Sequence, residues 1–374
     1  VSLHLIPADD RVLALEDAVD GVFAVHDVAT HSGGKVIVLR GQFLRSPEMV
    51  YEAVVGPFRS QGFIPLLRQE DGQDLVIAYP APRAGGKSRP AVHLLLLAAT
   101  VLSTLLAGTL QAVAGELGEV HSFWGLMAVF MTNWTAGIPF TVALLGILGV
   151  HELGHYFVAR RYGLNVSLPY FIPFPFNPLT GTLGAVIRIQ SPFESRRDLF
   201  DVGIAGPLAG LVVALPVVAL GLMQATVAPL PAGAQVIGEP LLFRFMAYLI
   251  VGERAAGTDI SMNPLLMAGW WGFFITALNL LPISQLDGGH IAYALFGSAH
   301  RYFAWAVFGL AAAVALLVSP QYILMLSLVF LLGIEHPPAL NDLTPIGTPR
   351  RVLGLLTLLL FPLLFTINPF QQLG

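Results

Sequence analysis

The sequence has no cysteine and little charge. Its 374 residues hold no Cys, which excludes a disulfide framework, thiolate zinc sites and cysteine nucleophiles. Any metal must therefore be held by nitrogen and oxygen. Lys, Arg, Asp and Glu together make up 11% of the chain, against roughly 25% in soluble domains. A chain that is 55% hydrophobic, with a mean hydropathy of +0.74, cannot hide its apolar surface in one core, so a lipid bilayer must solvate much of it. The formal net charge is −4. Phosphate binding needs a basic face, so this balance argues against a nucleic-acid partner, and none is expected.

The few charges are unevenly placed. Residues 1–90 hold 9 of the 19 Lys and Arg and 11 of the 23 Asp and Glu. Pro80 to Pro90 reads as a Pro/Gly/basic linker, and a long apolar run follows. The expected organisation is a soluble α+β domain and linker over 1–90, facing the cytoplasm, and a membrane-embedded domain over 91–374. Gly21–Val28 and Lys35–Arg40 read as strands. Pro47–Val55 reads as a helix, with Ser46 as N-cap and Pro47 at the first helical position. Phe63–Leu67 and Leu75–Tyr79 read as strands with turn residues Glu70-Asp71-Gly72 between them, and Pro65 confines the first of these to a sheet edge.

Apolar stretches near 91–115, 138–162, 201–223, 265–297, 303–319, 321–335 and 352–368 reach or approach the ~20 residues a spanning helix needs. The expected fold is thus an α-helical polytopic membrane protein of about seven spans with a small N-terminal α+β domain. Ser122–Trp134 and Leu241–Val251 read as interfacial helices. With the N-terminus inside, Arg160, Arg161, Arg188, Arg196, Arg197, Arg301, Arg350 and Arg351 fall on the inner side, as do Arg83, Lys87 and Arg89 before the first span. Only Arg244 and Arg254 fall outside. The positive-inside rule favours that orientation. Residues 1–20 hold five acids and no apolar core of signal-peptide length. With no transit peptide read, the expected location is a bacterial plasma membrane rather than a thylakoid-type one.

An ionisable residue at membrane depth costs roughly 2.5–3.5 kcal/mol or more, so each marks a functional candidate. Asp201 and Glu335 sit at span ends, where they reach the interface. Glu152 and Asp287 sit within spans. Glu152 lies in His151-Glu152-Leu153-Gly154-His155, an HExxH pattern. Residues i and i+4 share a helix face, so both imidazoles reach one ion, with Glu152 beside it as a base. The blander alternative is a polar packing face or a proton relay. A catalytic zinc site takes three protein ligands plus water, and Asp287 supplies a third candidate. His151 lies nine residues before Arg160, and Asp287 ten before Gly297. At ~1.5 Å per residue these are depths of roughly 14 and 15 Å in spans running the same way. Pro282 and Gly288-Gly289 break a regular helix there, and broken backbone is tolerated only where protein or a water cavity satisfies it. A kinked packing helix with a polar hinge is the alternative. His290 fits a supporting role better than that of a fourth ligand. Asn279 either orients a substrate carbonyl or stabilises an oxyanion, or it satisfies the broken helix.

His151-Glu152-Leu153-Gly154-His155 on the second span, with Asn279-Leu280-Leu281-Pro282-Ile283-Ser284-Gln285-Leu286-Asp287-Gly288-Gly289 on a later one, closely resembles the site-2 protease family of intramembrane zinc metalloproteases. The resemblance covers about residues 91–370. It implies one zinc per chain held by His151, His155 and Asp287, with Glu152 as catalytic acid/base. It also implies a three-span core and a transmembrane protein as substrate. Ser284 stands where the family often has a second Pro. No segment is long enough for an inserted PDZ domain, and Leu39-Arg40-Gly41-Gln42-Phe43-Leu44-Arg45 more loosely resembles the head of the PDZ-less branch shared by photosynthetic bacteria and plastids.

Other features fit around that reading. Gly181–Gln190 alternates like a strand, so it either pairs with an extended substrate by β-addition or forms an ordinary loop or hairpin. Gly203, Gly206 and Gly210 form a small-residue stripe for close helix packing. Trp270-Trp271 suits an interfacial belt, and His336-Pro337-Pro338 reads only as a helix stop. The competing functions are a metal-ion-binding membrane transporter and a catalytically inactive protease-like scaffold. A transporter needs polar residues along a crossing path, whereas here they gather at one depth. The intact HExxH and Asp287 argue against the scaffold.

Overall fold

A computed structural model describes residues 8–81, 89–113, 122–175, 177–230, 233 and 235–372. The N-terminal region is α+β. Its elements are α1 (Ala8–Val19), β1 (Phe23–His31), β2 (Val36–Phe43), α2 (Pro47–Ser60), β3 (Phe63–Glu70) and β4 (Gln73–Pro80). The strands form one antiparallel sheet in the order β1-β2-β4-β3. Leu15, Val19, Leu39, Val54, Phe58 and Val76 are fully buried in its core. α2 starts as its sequence dictates, with Ser46 Oγ accepting from Met49 N and Pro47 in the first turn. The β3–β4 hairpin turns through Asp71 and Gly72, both at positive φ. α1 is the one element here that sequence patterning did not single out. Most of the Pro80–Pro90 linker, with Arg83 and Lys87, lies outside the described residues.

The rest is mainly helical. In chain order come α3 (Pro90–Ala112), α4 (Phe123–Asn133), α5 (Ile138–Arg161), β5 (Tyr170–Pro173), β6 (Thr182–Val186), α6 (Arg196–Met223), β7 (Val227–Pro229), β8 (Gln235–Ile237), α7 (Leu241–Ile250) and β9 (Thr258–Ile260). α8 (Pro264–Asn279), α9 (Asp287–Phe296), α10 (His300–Leu317), α11 (Ile323–Leu332), α12 (Thr348–Leu358), α13 (Leu360–Leu364) and β10 (Phe370–Gln372) follow. Among the described residues four helical segments are long and apolar enough to cross a membrane: Pro90–Ala112, Phe123–Arg161, Arg196–Met223 and Asp287–Leu317. The expected seven spans do not all appear as such helices. The 265–297 stretch divides into α8 and α9, α11 has 10 residues, and the 352–368 stretch becomes α12 and the five-residue α13.

α6 is the central helix and packs against α5, α8 and α9. Its N-terminus carries a capping box, with the Ser195 side chain accepting from Asp198 N and Asp198 accepting from Ser195 N at 2.7 Å. Asp201, one turn in, is held by Arg350 through two 2.8 Å bonds, which ties α12 to α6. Glu335 accepts from Trp305 Nε1 at 3.0 Å. The tryptophan pair does not form an interfacial belt. Trp270 is fully buried and Trp271 nearly so, because β8 and β10 cover them. Trp270 Nε1 donates to the Gly238 carbonyl at 2.8 Å, and both rings lie against Phe274 and Phe370.

The N-terminal sheet is completed by a distant segment. β3 is its edge strand, as Pro65 requires. The strap at residues 336–344 runs alongside it: Leu67 N donates to the Leu340 carbonyl at 2.9 Å, and Leu340 is buried in the N-terminal core. Arg68 donates to the carbonyls of Leu340 at 3.0 Å and Ala339 at 2.8 Å. On its other side the strap bonds residues 193–194, with Leu340 N to Phe193 O at 3.0 Å and Asn341 N to Glu194 O at 2.8 Å. Arg68→Ala removes a charged donor from two carbonyls at once, each such bond being worth about 1.5–3 kcal/mol. The expected result is faster cleavage within 336–344 by a soluble protease acting on the detergent-solubilised protein. An unchanged cleavage rate there would show that the strap does not depend on Arg68.

Candidate active site

The HExxH residues lie in the middle of α5, and the periodicity of the helix turns His151, Glu152 and His155 inward, each 5–7% exposed. Asp287 is the first residue of α9. It reaches the same point because residues 280–286 leave the helical path between α8 and α9. Pro282 has no N–H to continue a helix, and Ser284 sits at φ +56°. The loop then folds back so tightly that a Cβ on Gly288 would lie 2.1 Å from Leu280 O, and one on Gly289 2.3 Å from Ser284 O. Part of its backbone is paired within the protein, as buried polar groups must be away from water. Ser284 N donates to Ile334 O at 2.7 Å, and Pro282 O accepts from His300 Nε2 at 3.1 Å.

His151 Nε2 lies 3.1 Å from Asp287 Oδ2, His155 Nε2 3.2 Å from Asp287 Oδ1, and the two Nε2 atoms are 3.2 Å apart. Among the described residues, these three form a group of His, Asp or Glu side chains whose donor atoms all lie within 4.8 Å of one another. A tetrahedral ion with ligands at ~2.0–2.1 Å holds neighbouring donor atoms ~3.3–3.4 Å apart, close to these spacings. The tautomer also fits. His155 Nδ1 donates to the Val202 carbonyl at 2.7 Å, which leaves the Nε2 lone pair facing the cluster. A lone pair and a carboxylate converging in a buried place call for a cation, and with no thiolate present the donor set is one that zinc accepts.

The glycine stripe of α6 has a more specific task than helix packing. A Cβ on Gly206 would lie 2.0 Å from His155 Nε2, one on Gly210 3.2 Å from His151 Cβ, and one on Gly203 2.8 Å from His290 Cβ. Each glycine leaves room for one histidine ring. His290 is not in the three-residue cluster. Its Nδ1 lies 2.6 Å from His336 Nε2 on the strap. Burial, with the His290 ring beside it, pushes His336 down to about 3, so it is neutral at neutral pH. The Tyr293 ring stacks on His336, and its hydroxyl donates to Asp342 at 3.0 Å. α9, which begins with Asp287, is thereby tied to the strap at two points. Sequence reading met His336 only as part of a helix stop and passed over Tyr293 and Asp342.

A cavity of about 230 Å³ opens onto the cluster, lined by Glu152, Asn279 and residues 185–187 among others. Asn279 ends α8, and its Nδ2 lies 3.4 Å from His151 Nε2, so the amide faces the site. The Ile187 backbone hydrogen-bonds the Glu152 carboxylate. β6 pairs antiparallel with β5, with Phe171 opposite Ala185, and residues 185–189 continue along the cavity wall.

Residues 139–318, which contain every member of this cluster, match Peptidase family M50. The chain is 34% identical over 237 residues to "Probable zinc metalloprotease EGY1, chloroplastic" of Arabidopsis thaliana, covering 60% of this chain and 42% of that protein. It is 37% identical over 167 residues to "Probable zinc metalloprotease EGY2, chloroplastic" of the same plant, 43% of this chain and 29% of that one. It is 28% identical over 378 residues to the EGY2 protein of Oryza sativa subsp. indica, 96% of this chain and 67% of that one. The chain thus spans less than half the length of the two Arabidopsis proteins. These relatives are named as chloroplast proteins and give the expected bacterial plasma membrane no support.

Proposed function

We propose that the chain is an intramembrane zinc metalloprotease that hydrolyses peptide bonds within or near transmembrane segments of membrane-protein substrates. The observation that carries this reading is the convergence of His151, His155 and Asp287 beside Glu152, buried among helices apolar enough to span a membrane. His151, His155 and Asp287 would hold one zinc per chain. Bound there, the ion supplies Lewis acidity, which polarises a carbonyl and makes water acidic near neutral pH. Glu152 takes the proton from the attacking water and delivers it to the leaving amine. Asn279 would donate to oxygen that becomes negative as the carbonyl is attacked, a role supported by its amide nitrogen lying 3.4 Å from His151 Nε2. A membrane helix must unwind before its amides are open to attack, and residues 185–189 offer an extended edge that can pair with the unwound chain. The polar groups gather at one depth instead of following a crossing path, which disfavours transport.

The N-terminal domain is proposed to face the cytoplasm or its equivalent. Support comes from its contacts. Arg59 pairs with Glu194 at 2.6 Å and Glu48 with Arg197 at 2.6 Å, so it meets the side where the basic residues of the membrane domain collect.

The reading is tested with purified protein in detergent and a single-pass membrane peptide. Cleavage is expected to stop on chelation and return on adding zinc, and Asp287→Ala is expected to bring zinc content from one per chain to near zero. Full zinc occupancy in Asp287→Ala would remove Asp287 from the ligands. Cleavage that survives complete metal removal would sink the metalloprotease reading.

A further inference from the structure

We infer that a second cavity beside the site is a substrate subsite, which receives a bulky apolar side chain from the extended stretch next to the scissile bond. This rests on the protease reading above. The cavity measures about 460 Å³ and meets the site cavity along Ile187, Ile189, Gln285 and His290, which line both. The two spaces therefore follow one another along the same wall. A chain extended beside residues 185–189 advances ~3.3 Å per residue, so it leaves the cluster of His151, Glu152, His155 and Asp287 and enters the second cavity within a few residues.

The walls define the chemistry. One is residues 187–193, with Phe193 at its end. The opposite one is the strap from His336 to Ala339, and Leu199 of α6 also lines the cavity. Pro337 and Pro338 present no backbone N–H, so that wall offers carbon where a loop would otherwise offer donors. Its two imidazoles, His290 and His336, are engaged with each other. Among the described residues no carboxylate lines the cavity, and its one guanidinium, Arg188, belongs to an exposed residue. Such a space favours an aromatic or branched aliphatic side chain over a basic one.

The strap wall is held in place from outside the membrane domain. Its Leu340 is buried in the N-terminal core, and Arg68 bonds the carbonyls of Ala339 and Leu340. The strap is also bonded to residues 193–194 and to His290 and Tyr293 of α9, so both regions hold this wall, which gives the N-terminal domain a part in choosing what is cut.

The test uses the full chain in detergent, loaded with zinc, and single-pass membrane peptides. The peptides differ only in carrying Ala or Phe at each of three positions beside the mapped scissile bond, on the side leaving the membrane. At one position Phe is expected to raise kcat/KM at least tenfold over Ala, the size of effect that apolar pockets supply. Pro338→Trp and, from the facing wall, Ser191→Trp fill the cavity. Each is expected to bring that Phe/Ala ratio within threefold while zinc content stays at the wild-type level. The ratio is read within one enzyme, so a general loss of activity does not mimic the effect, and either variant decides if the other fails to fold. A wild-type ratio near one at all three positions would leave the cavity to lipid or detergent and overturn the subsite, as would variants that keep the wild-type ratio. If zinc-loaded wild type cleaves none of the peptides, the protease reading fails and the subsite with it.

Discussion

Glu152→Gln is expected to bind zinc and substrate as the wild type does and to cleave about 10²–10⁴-fold more slowly, the range that general acid–base catalysis supplies. Glutamine keeps the shape of the side chain. It can still meet the Ile187 backbone, which bonds the carboxylate in the native protein. It cannot accept a proton. A zinc held by His151, His155 and Asp287 would supply Lewis acidity of its own, so the loss of Glu152 as a base is not the whole effect. The larger loss is expected at the second proton transfer, in which Glu152 would deliver the proton to the departing amine. Purified wild type and variant are compared at equal zinc content on a single-pass peptide. A variant turning over within a few-fold of wild type would make Glu152 a structural acid and return transport to consideration.

Gly206→Ala is expected to abolish zinc binding although Gly206 holds no ligand atom. The added methyl would sit 2.0 Å from His155 Nε2, well inside any carbon–nitrogen contact. The ring has no free direction to move. Its Nδ1 is fixed on the Val202 carbonyl, and its backbone lies in α5, which packs along α6. Either the ring leaves the cluster or the helices part. Metal analysis of the purified variant checks this, with Gly146→Ala as control, since a Cβ there meets nothing within 4 Å. Retention of full zinc by Gly206→Ala would mean that α5 and α6 slide past one another more freely than their packing implies.

How much of this was legible in sequence depended on range. His151, His155 and Asp287 were brought to one depth by counting helical rise, because two parallel helices share a ruler. The strands and helix of the N-terminal sheet were legible because their alternation, N-cap and turn residues are local. The glycine stripe was visible as a stripe, yet spacing within α6 does not say what lies against it. That it faces three histidines follows from the rotation of α6, which only packing fixes. Trp270 and Trp271 were misplaced at an interface because their covers, residues 235–238 and 370–372, are too short to leave a pattern. The span count differed for a related reason. Hydropathy marks apolar stretches, but Pro282 and Ser284 divide one of them, and Gly297 at φ +58° bends the chain between α9 and α10. The strap could not be read at all, since the residues it joins are remote in the chain.

That remoteness bears on how the protein is made. Arg68 and its partner Leu340 are 272 residues apart, a stretch that takes roughly 14–54 s to synthesise at ~5–20 residues per second. Throughout that interval the N-terminal sheet exists without its last partner, with β3 open to pairing with another nascent chain. Pro65, which lacks a donor, and the charges of Arg68 and Glu70 on that strand are the devices that discourage such pairing. A chain stopped before residue 339 never closes the edge, so such termination products should be sticky and short-lived, while a chain that extends past residue 341 closes that sheet with a segment made long after it.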